Sequence, residues 1–204
     1  MQTPENIDMT HGWNEKNTAM FASLKSHGID TAALKKVVLD IPLVNGMEEL
    51  LGYLQSSEHD AILISGANTL FIDWYLEDRK LQGVFQGVYT NFANIKDGKL
   101  VLRCFHHQDN CKRCVRSICK GQVLEEVVAK KKAEGTKYSK ICYIGDGDND
   151  LCPVLRLSKE DYVFPRAGYA LEYRISKARQ IAAQIVPWEC ASTIIKTIKE
   201  LSTR

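Results

Sequence analysis

Gly145-Asp146-Gly147-Asp148-Asn149-Asp150 places three aspartates at alternate positions directly after the apolar run Ile141-Cys142-Tyr143-Ile144. Carboxylates this close repel one another unless a cation sits among them. Hard oxygen ligands of this kind suit Mg²⁺, which takes one or two carboxylates together with substrate phosphate oxygens. The glycines let the backbone turn tightly beside such an ion. A Ca²⁺ loop of the EF-hand kind would need a ligand glutamate well downstream and a helix on each side, and the preceding strand argues against it. A solvated acidic turn is the plain alternative.

A second apolar run, Ala61-Ile62-Leu63-Ile64, stops at Ser65-Gly66-Ala67-Asn68. A hydroxyl followed by backbone N–H groups can hold a phosphate oxygen. Alone, a Ser-Gly after a strand is only a turn, and its weight comes from pairing with the acidic loop. Lys120-Gly121 opens a helix, and a lysine beside a helix N-terminus offers a fixed positive charge plus unpaired N–H groups to an anion. An exposed lysine is the ordinary alternative there.

The elements around these residues alternate. Helical spacing runs from Asn14 to Ile41, broken at Gly28, with Leu34, Val37, Val38 and Ile41 on one face and Pro42 ending the run. Met47, Leu50, Leu51 and Leu54 form another helical face, and Thr69–Glu77 and Gln122–Ala133 read as helices. Strands are expected at Ala61–Ile64, Val84–Tyr89, Lys140–Ile144, Tyr162–Phe164 and Gln184–Val186. A hairpin is expected around Asp97-Gly98, and a final helix over Ala191–Leu201. This alternation predicts a three-layer α/β fold with a mostly parallel sheet, whose ligands bind beyond the carboxyl ends of the strands. The acidic loop and the serine loop both lie there. Loops leaving two neighbouring inner strands are expected to converge, so that a cation and an ester's terminal oxygens share one pocket.

Composition narrows the classes further. The 204 residues are 45% hydrophobic and 25% charged, as in ordinary soluble domains. The 27 Lys+Arg against 25 Asp+Glu leave +2, too balanced to argue for a nucleic-acid partner. No apolar run approaches the roughly 20 residues of a membrane span, and MQTPENIDMTHGW has no secretory pattern. Seven cysteines without such a leader point to thiols in a reducing compartment, so a cytoplasmic protein is expected.

Taken together, Ser65, Lys120 and the pair Asp146 with Asp150 resemble the second, third and fourth motifs of the haloacid dehalogenase superfamily of phosphohydrolases. The segments ILISGANTLFIDWYLE, NCKRCVRSICKGQVL, YIGDGDNDLCPVL, VFPRAGY and VPWE narrow this. They are similar to the subfamily of phosphoethanolamine/phosphocholine phosphatases and pyridoxal phosphate phosphatases, over nearly the whole chain. The resemblance implies a Rossmann-like core over residues 44–204 and the remnant of a helical cap over residues 1–43. It implies Mg²⁺ held by Asp146 and Asp150, with Asn149 behind them. Ser65, Gly66, Asn68 and Lys120 would bind the phosphoryl oxygens of a small phosphorylated metabolite such as pyridoxal phosphate, phosphoethanolamine or phosphocholine, and Arg166 could lie near them. Several relatives carry an aspartate after the motif-two serine, close to where an amino or choline head group would sit; Gly66 carries no charge there.

The family's first motif is a strand followed by Asp-x-Asp-x-Thr. Its first aspartate attacks phosphorus and its second protonates the leaving group. That pattern does not occur in these 204 residues. Asp40, in Val37-Val38-Leu39-Asp40-Ile41-Pro42, is the nearest internal candidate, but Pro42 stands in the general-acid position and the spacing favours a helix. The expectation is a truncated relative lacking the first, central strand. Such a chain would either turn over a phosphomonoester or bind Mg²⁺ and phosphate without catalysis.

His106, His107, Cys111, Cys114 and Cys119 carry a separate possibility. Cys111-x-x-Cys114 has the spacing of zinc ligands, which Cys119 or a histidine could complete. A zinc- or thiol-based interaction module over residues 106–119 is the reading from a different class. A compact loop that positions Lys120 is the plain alternative.

Overall fold

The computed structural model describes residues 13–203. Residues 1–12, on which most of the reading of the N-terminus rests, lie outside them. The chain forms two compact units: one built from the chain up to Pro42 and from Asp60–Ile118, the other from Leu43–His59 and the chain from Cys119 onward. Residues 60–118 therefore group with the N-terminal helices.

In the first unit the expected helical run is two helices, α1 (Trp13–Ser26) and α2 (Thr31–Leu39), separated at Gly28. The φ of Gly28 is +80°, in the left-handed region. Asp30 caps α2, its Oδ1 accepting from the Ala33 N–H at 2.8 Å. Helix α3 (Met47–Ser56) follows and belongs to the second unit. Then come β1 (Ile62–Asn68), α4 (Thr69–Asp78), β2 (Gly87–Lys96) and β3 (Lys99–Arg103). Strand β1 runs parallel to β2, with Ile64 opposite Tyr89. β2 and β3 form the expected antiparallel hairpin. Asp97 and Gly98 turn it with φ of 51° and 66°, the pair of positive values a tight hairpin needs. Val84 is buried ahead of β2, so the strand expected at Val84–Tyr89 begins later and runs further.

The second unit contains α5 (Lys120–Ala133), β4 (Cys142–Gly145), α6 (Leu151–Val154), β5 (Tyr162–Pro165), α7 (Ala170–Lys177), β6 (Gln184–Ile185) and α8 (Ser192–Ser202). A single 3₁₀ turn, Asp148–Asp150, links β4 to α6. Strands β4, β5 and β6 pair in that order, all parallel. Leu50 of α3, Phe164 of β5, Trp188, and Ala191 with Ile194, Ile195 and Ile198 at α8 form the core. The Trp188 indole donates to the Phe164 carbonyl at 3.0 Å, so its one polar atom is satisfied where it is buried. The architecture is α/β with parallel pairing in both units. Among the described residues β1 and β4 each have one strand neighbour, and no helix is long and apolar enough to cross a membrane.

Candidate active site

Strand β4 delivers the acidic loop to the carboxyl end of the parallel sheet. Asp150 is almost wholly buried, at 2% exposure, and four donors converge on its carboxylate. Lys120 Nζ and the Tyr143 hydroxyl each donate to Oδ1 at 2.6 Å. The N–H groups of Asp146 and Gly147 donate to Oδ2 at 3.1 and 2.8 Å. A carboxylate buried this deeply is tolerated only when its charge is paired and its lone pairs are filled, and both conditions hold. The result is a loop wrapped around its own last side chain. The two glycines make room for that wrap. A Cβ on Gly145 would lie 2.8 Å from the Asp150 carboxyl carbon, and one on Gly147 would lie 2.8 Å from Asn149 Oδ1.

Lys120 is the first residue of α5, and its side chain is 13% exposed. Cys119, the residue before the helix, makes no side-chain cap, so its side chain takes none of the first N–H groups of this 14-residue helix. A lysine pinned beside such a terminus is a built place for an anion. Asp146, by contrast, is exposed. Its carbonyl accepts from the Leu171 N–H at 3.0 Å, and the Gly145 carbonyl accepts from the Arg166 N–H at 2.9 Å, which fixes the loop against α7 and the end of β5. Asp148 is paired with Arg174 on the surface. Arg166 lies over the rings of Tyr169 and Trp188, 4.1 and 5.8 Å from their centroids.

In the first unit, Ser65, Gly66 and Asn68 lie in the last residues of β1. Ser65 Oγ accepts from the Ala67 N–H at 3.1 Å. Buried Asn68 caps α4, its Oδ1 accepting from the Phe71 N–H at 3.0 Å. Asn91, buried on β2, props the same turn: its Nδ2 donates to the Gly66 and Ala67 carbonyls at 3.0 and 3.1 Å, while its Oδ1 accepts from the Phe105 N–H at 3.1 Å. The sequence reading missed Asn91 and Tyr143. The signal for Asn91 was an amide inside the otherwise strand-forming VYTNFANI. Asp40 lies at the C-terminal end of α2, its N–H donating to the Lys36 carbonyl at 2.9 Å, so it ends a helix rather than a strand.

Parallel strands that end on a glycine-aspartate loop, with a helix-leading lysine bonded to the loop's last carboxylate, are the arrangement expected of the haloacid dehalogenase class of phosphohydrolases. Comparison with known proteins agrees. The chain matches the family described as Putative Phosphatase over residues 2–202, and it belongs to that family. It is 39% identical over 197 residues to the pyridoxal phosphate phosphatase PHOSPHO2 of Rattus norvegicus, covering 93% of this chain and 81% of the relative. The Homo sapiens protein of the same name is 35% identical over 196 residues, with the same 93% and 81% covered. The phosphoethanolamine/phosphocholine phosphatase of Homo sapiens is 32% identical over 202 residues, covering 94% of this chain and 75% of the relative. A solved phosphoserine phosphatase in complex with its substrate superposes with a TM-score of 0.58 at 19% identity, covering 92% of this chain and 78% of that one. That likeness supports the fold.

Proposed function

We propose that this protein is a Mg²⁺-dependent phosphatase of small phosphomonoesters, with pyridoxal phosphate the first candidate substrate. The observation that carries the proposal is the buried 2.6 Å pair of Lys120 and Asp150 at the head of α5. It fixes an ammonium group beside uncapped helix N–H groups, where the oxygens of a phosphoryl group gain most from it. In this reading Lys120 binds those oxygens, and Ser65, Gly66 and Asn68 are phosphate-binding residues as well. The donor chemistry fits a hard cation: Asp146 offers an exposed carboxylate at the strand's end, and Asp150 adds a second negative charge while its oxygens hold the loop and Lys120. Asp146 would hold the Mg²⁺, with Asp150 and Asn149 behind it; when bound, the ion neutralises phosphoryl charge. The absence of charge at Gly66 favours a substrate without a cationic head group.

The test is phosphate release from pyridoxal phosphate by the purified full chain with Mg²⁺. Lys120→Ala is expected to lower kcat/KM by about 10²–10³-fold, the usual effect of removing one group that stabilises transition-state charge. Asp146→Asn is expected to raise the Mg²⁺ concentration required. Turnover indifferent to both changes would refute the assignment. A second reading, binding without turnover, is favoured by the position of Asp40 at a helix end. In that case phosphate with Mg²⁺ still binds, as read by calorimetry, and Lys120→Ala abolishes the binding. Asp40→Asn is expected to leave either behaviour unchanged.

A further inference from the structure

Two buried thiols take no part in the proposed chemistry and lie next to it in the chain. Of the cysteines grouped in the sequence, Cys111 and Cys114 lie in a loop of the first unit, where their carbonyls accept from Gln108 Nε2 at 3.3 Å. Cys119 belongs to the second unit. Its neighbour there is Cys152, 33 residues on in α6, and the two sulfurs lie 3.7 Å apart. Cys119 is wholly buried and Cys152 is 6% exposed. Both are in the thiol form.

The surroundings favour reaction between these sulfurs. The Arg156 guanidinium faces both: its Nη2 lies 3.9 Å from Cys119 Sγ, and it hydrogen-bonds to Cys152. Positive charge this close favours the thiolate, the form that reacts. Gly121, in the first turn of α5, leaves room for the group, since a Cβ there would lie 2.8 Å from Cys152 Sγ and 2.6 Å from Arg156 Nε. The sulfurs need to close by about 1.6 Å to reach the separation of a disulfide. Cys119 immediately precedes Lys120, and Cys152 follows Asp150 by two residues. Lys120 Nζ and Asp150 Oδ1 form the 2.6 Å pair between them. A bond between the sulfurs therefore closes a ring around that ion pair through Cys119, Lys120, Asp150, Leu151 and Cys152.

We propose that Cys119 and Cys152 are a redox modification site, converted by a hydroperoxide to a disulfide that lowers phosphate turnover by shifting Lys120 and Asp150. The effect on turnover rests on the phosphatase reading above; the disulfide does not. Cys152, the more exposed of the two, reacts first. Its thiolate attacks the terminal peroxide oxygen. An S–O bond forms, the O–O bond breaks, and the departing oxygen takes a proton and leaves as water, or as an alcohol from an alkyl hydroperoxide. The Cys119 thiolate then attacks the Cys152 sulfur. The S–S bond forms, the S–O bond breaks, and the hydroxide leaves as water with the proton that Cys119 gave up. The two thiols lose two electrons and two protons, and the peroxide gains them. Exchange with a small dithiol reverses the bond. Misplacing a group that acts on the reacting atoms by about 1 Å costs on the order of 10²-fold in rate.

The experiment treats the reduced full chain with hydrogen peroxide, blocks the remaining thiols with iodoacetamide under denaturing conditions, and maps the digested peptides by mass spectrometry. Phosphate release from pyridoxal phosphate with Mg²⁺ is followed in parallel. The expected result is a cross-linked peptide joining Cys119 to Cys152, with kcat/KM lowered on the order of 10²-fold and both changes reversed by dithiothreitol. Cys119→Ser and Cys152→Ser should keep turnover before peroxide and resist the loss, and Cys190→Ser should remain sensitive. Both thiols still alkylated after peroxide, or either one bonded to another cysteine, overturns the modification site. A complete disulfide with unchanged turnover overturns its effect on Lys120 and Asp150. A reduced chain that releases no phosphate counts against the phosphatase reading alone, because the peptide map judges the disulfide on the wild-type chain without reference to activity or to any variant.

Discussion

Replacing Asp150 by asparagine keeps the shape of the side chain and removes the charge that organises the loop. The cost follows from the hydrogen-bond roles. Asparagine retains one acceptor oxygen, but its amide nitrogen then faces donors: either the Lys120 ammonium and the Tyr143 hydroxyl, or the N–H groups of Asp146 and Gly147. In either orientation two donors lose their acceptor, and Lys120 is left buried without a counter-charge. Removing one partner of a buried ion pair costs about 3–5 kcal/mol, a large share of a total stability of about 5–15 kcal/mol. Lys120→Met breaks the same pair from the other side: it leaves Asp150 with three donors but buried without a counter-charge, so its cost falls in the same range of about 3–5 kcal/mol. Tyr143→Phe keeps the pair and removes one hydrogen bond to a charged group, worth about 1.5–3 kcal/mol. Urea denaturation followed by circular dichroism gives all three values under one condition. The expected order is Asp150→Asn and Lys120→Met both above Tyr143→Phe. If Tyr143→Phe proves as damaging as Asp150→Asn, the buried ion pair is not what organises the loop and the reasoning fails.

Two other predictions rest on separate residues. Asn91→Ala removes the amide that holds the Gly66 and Ala67 carbonyls and strands the Phe105 N–H; a stability loss of about 1–3 kcal/mol and weaker phosphate affinity are expected, read by thermal melting and calorimetry, and unchanged affinity would separate Asn91 from the phosphate cradle. Cys142 is pushed up from 9.0 to about 11 by burial, helped by Asp161 and partly offset by Lys140, so its contribution to stability is full below about pH 9 and is lost as pH rises toward 11. The loss is on the order of 2–3 kcal/mol; the urea midpoint should fall over that window in the wild type and fall less in Cys142→Ala.

The alternation of apolar runs made most of the framework legible. The split at Gly28, the helix over Met47–Ser56, the Asp97-Gly98 hairpin and the buried strand before Gly145 follow from spacing and turn chemistry that act locally. Helix α7 was not seen because GYALEYRISKA carries only Leu171 and Ile175 as buried anchors, with exposed charge between them; what holds it is the loop bond from the Leu171 N–H to the Asp146 carbonyl, which no local pattern reports. The site divides the same way. Lys120 and the aspartates were legible because their types are costly to place at strand ends without a use. Their partners were not. Asn91 contacts Gly66 from 25 residues away, and the distant Cys152 stands beside Cys119 only because α5 and α6 pack together. Contacts of that range depend on packing that periodicity does not encode.

The two aspartates proposed to surround the cation cannot be tested by the same means. Asp150 is buried and accepts four hydrogen bonds, so any loss of activity on changing it mixes a collapsed loop and a displaced Lys120 with whatever it does for the ion. Asp146 is exposed and gives the loop only its backbone: its N–H goes to Asp150 and its carbonyl to Leu171. Asparagine preserves both bonds. Asp146→Asn should therefore melt within about 0.5 kcal/mol of the wild type, the ordinary range for an exposed substitution, while requiring more Mg²⁺. A large loss of stability in Asp146→Asn would mean that its carboxylate also serves the fold, and the separation of a cation-holding aspartate from a loop-holding one would not stand.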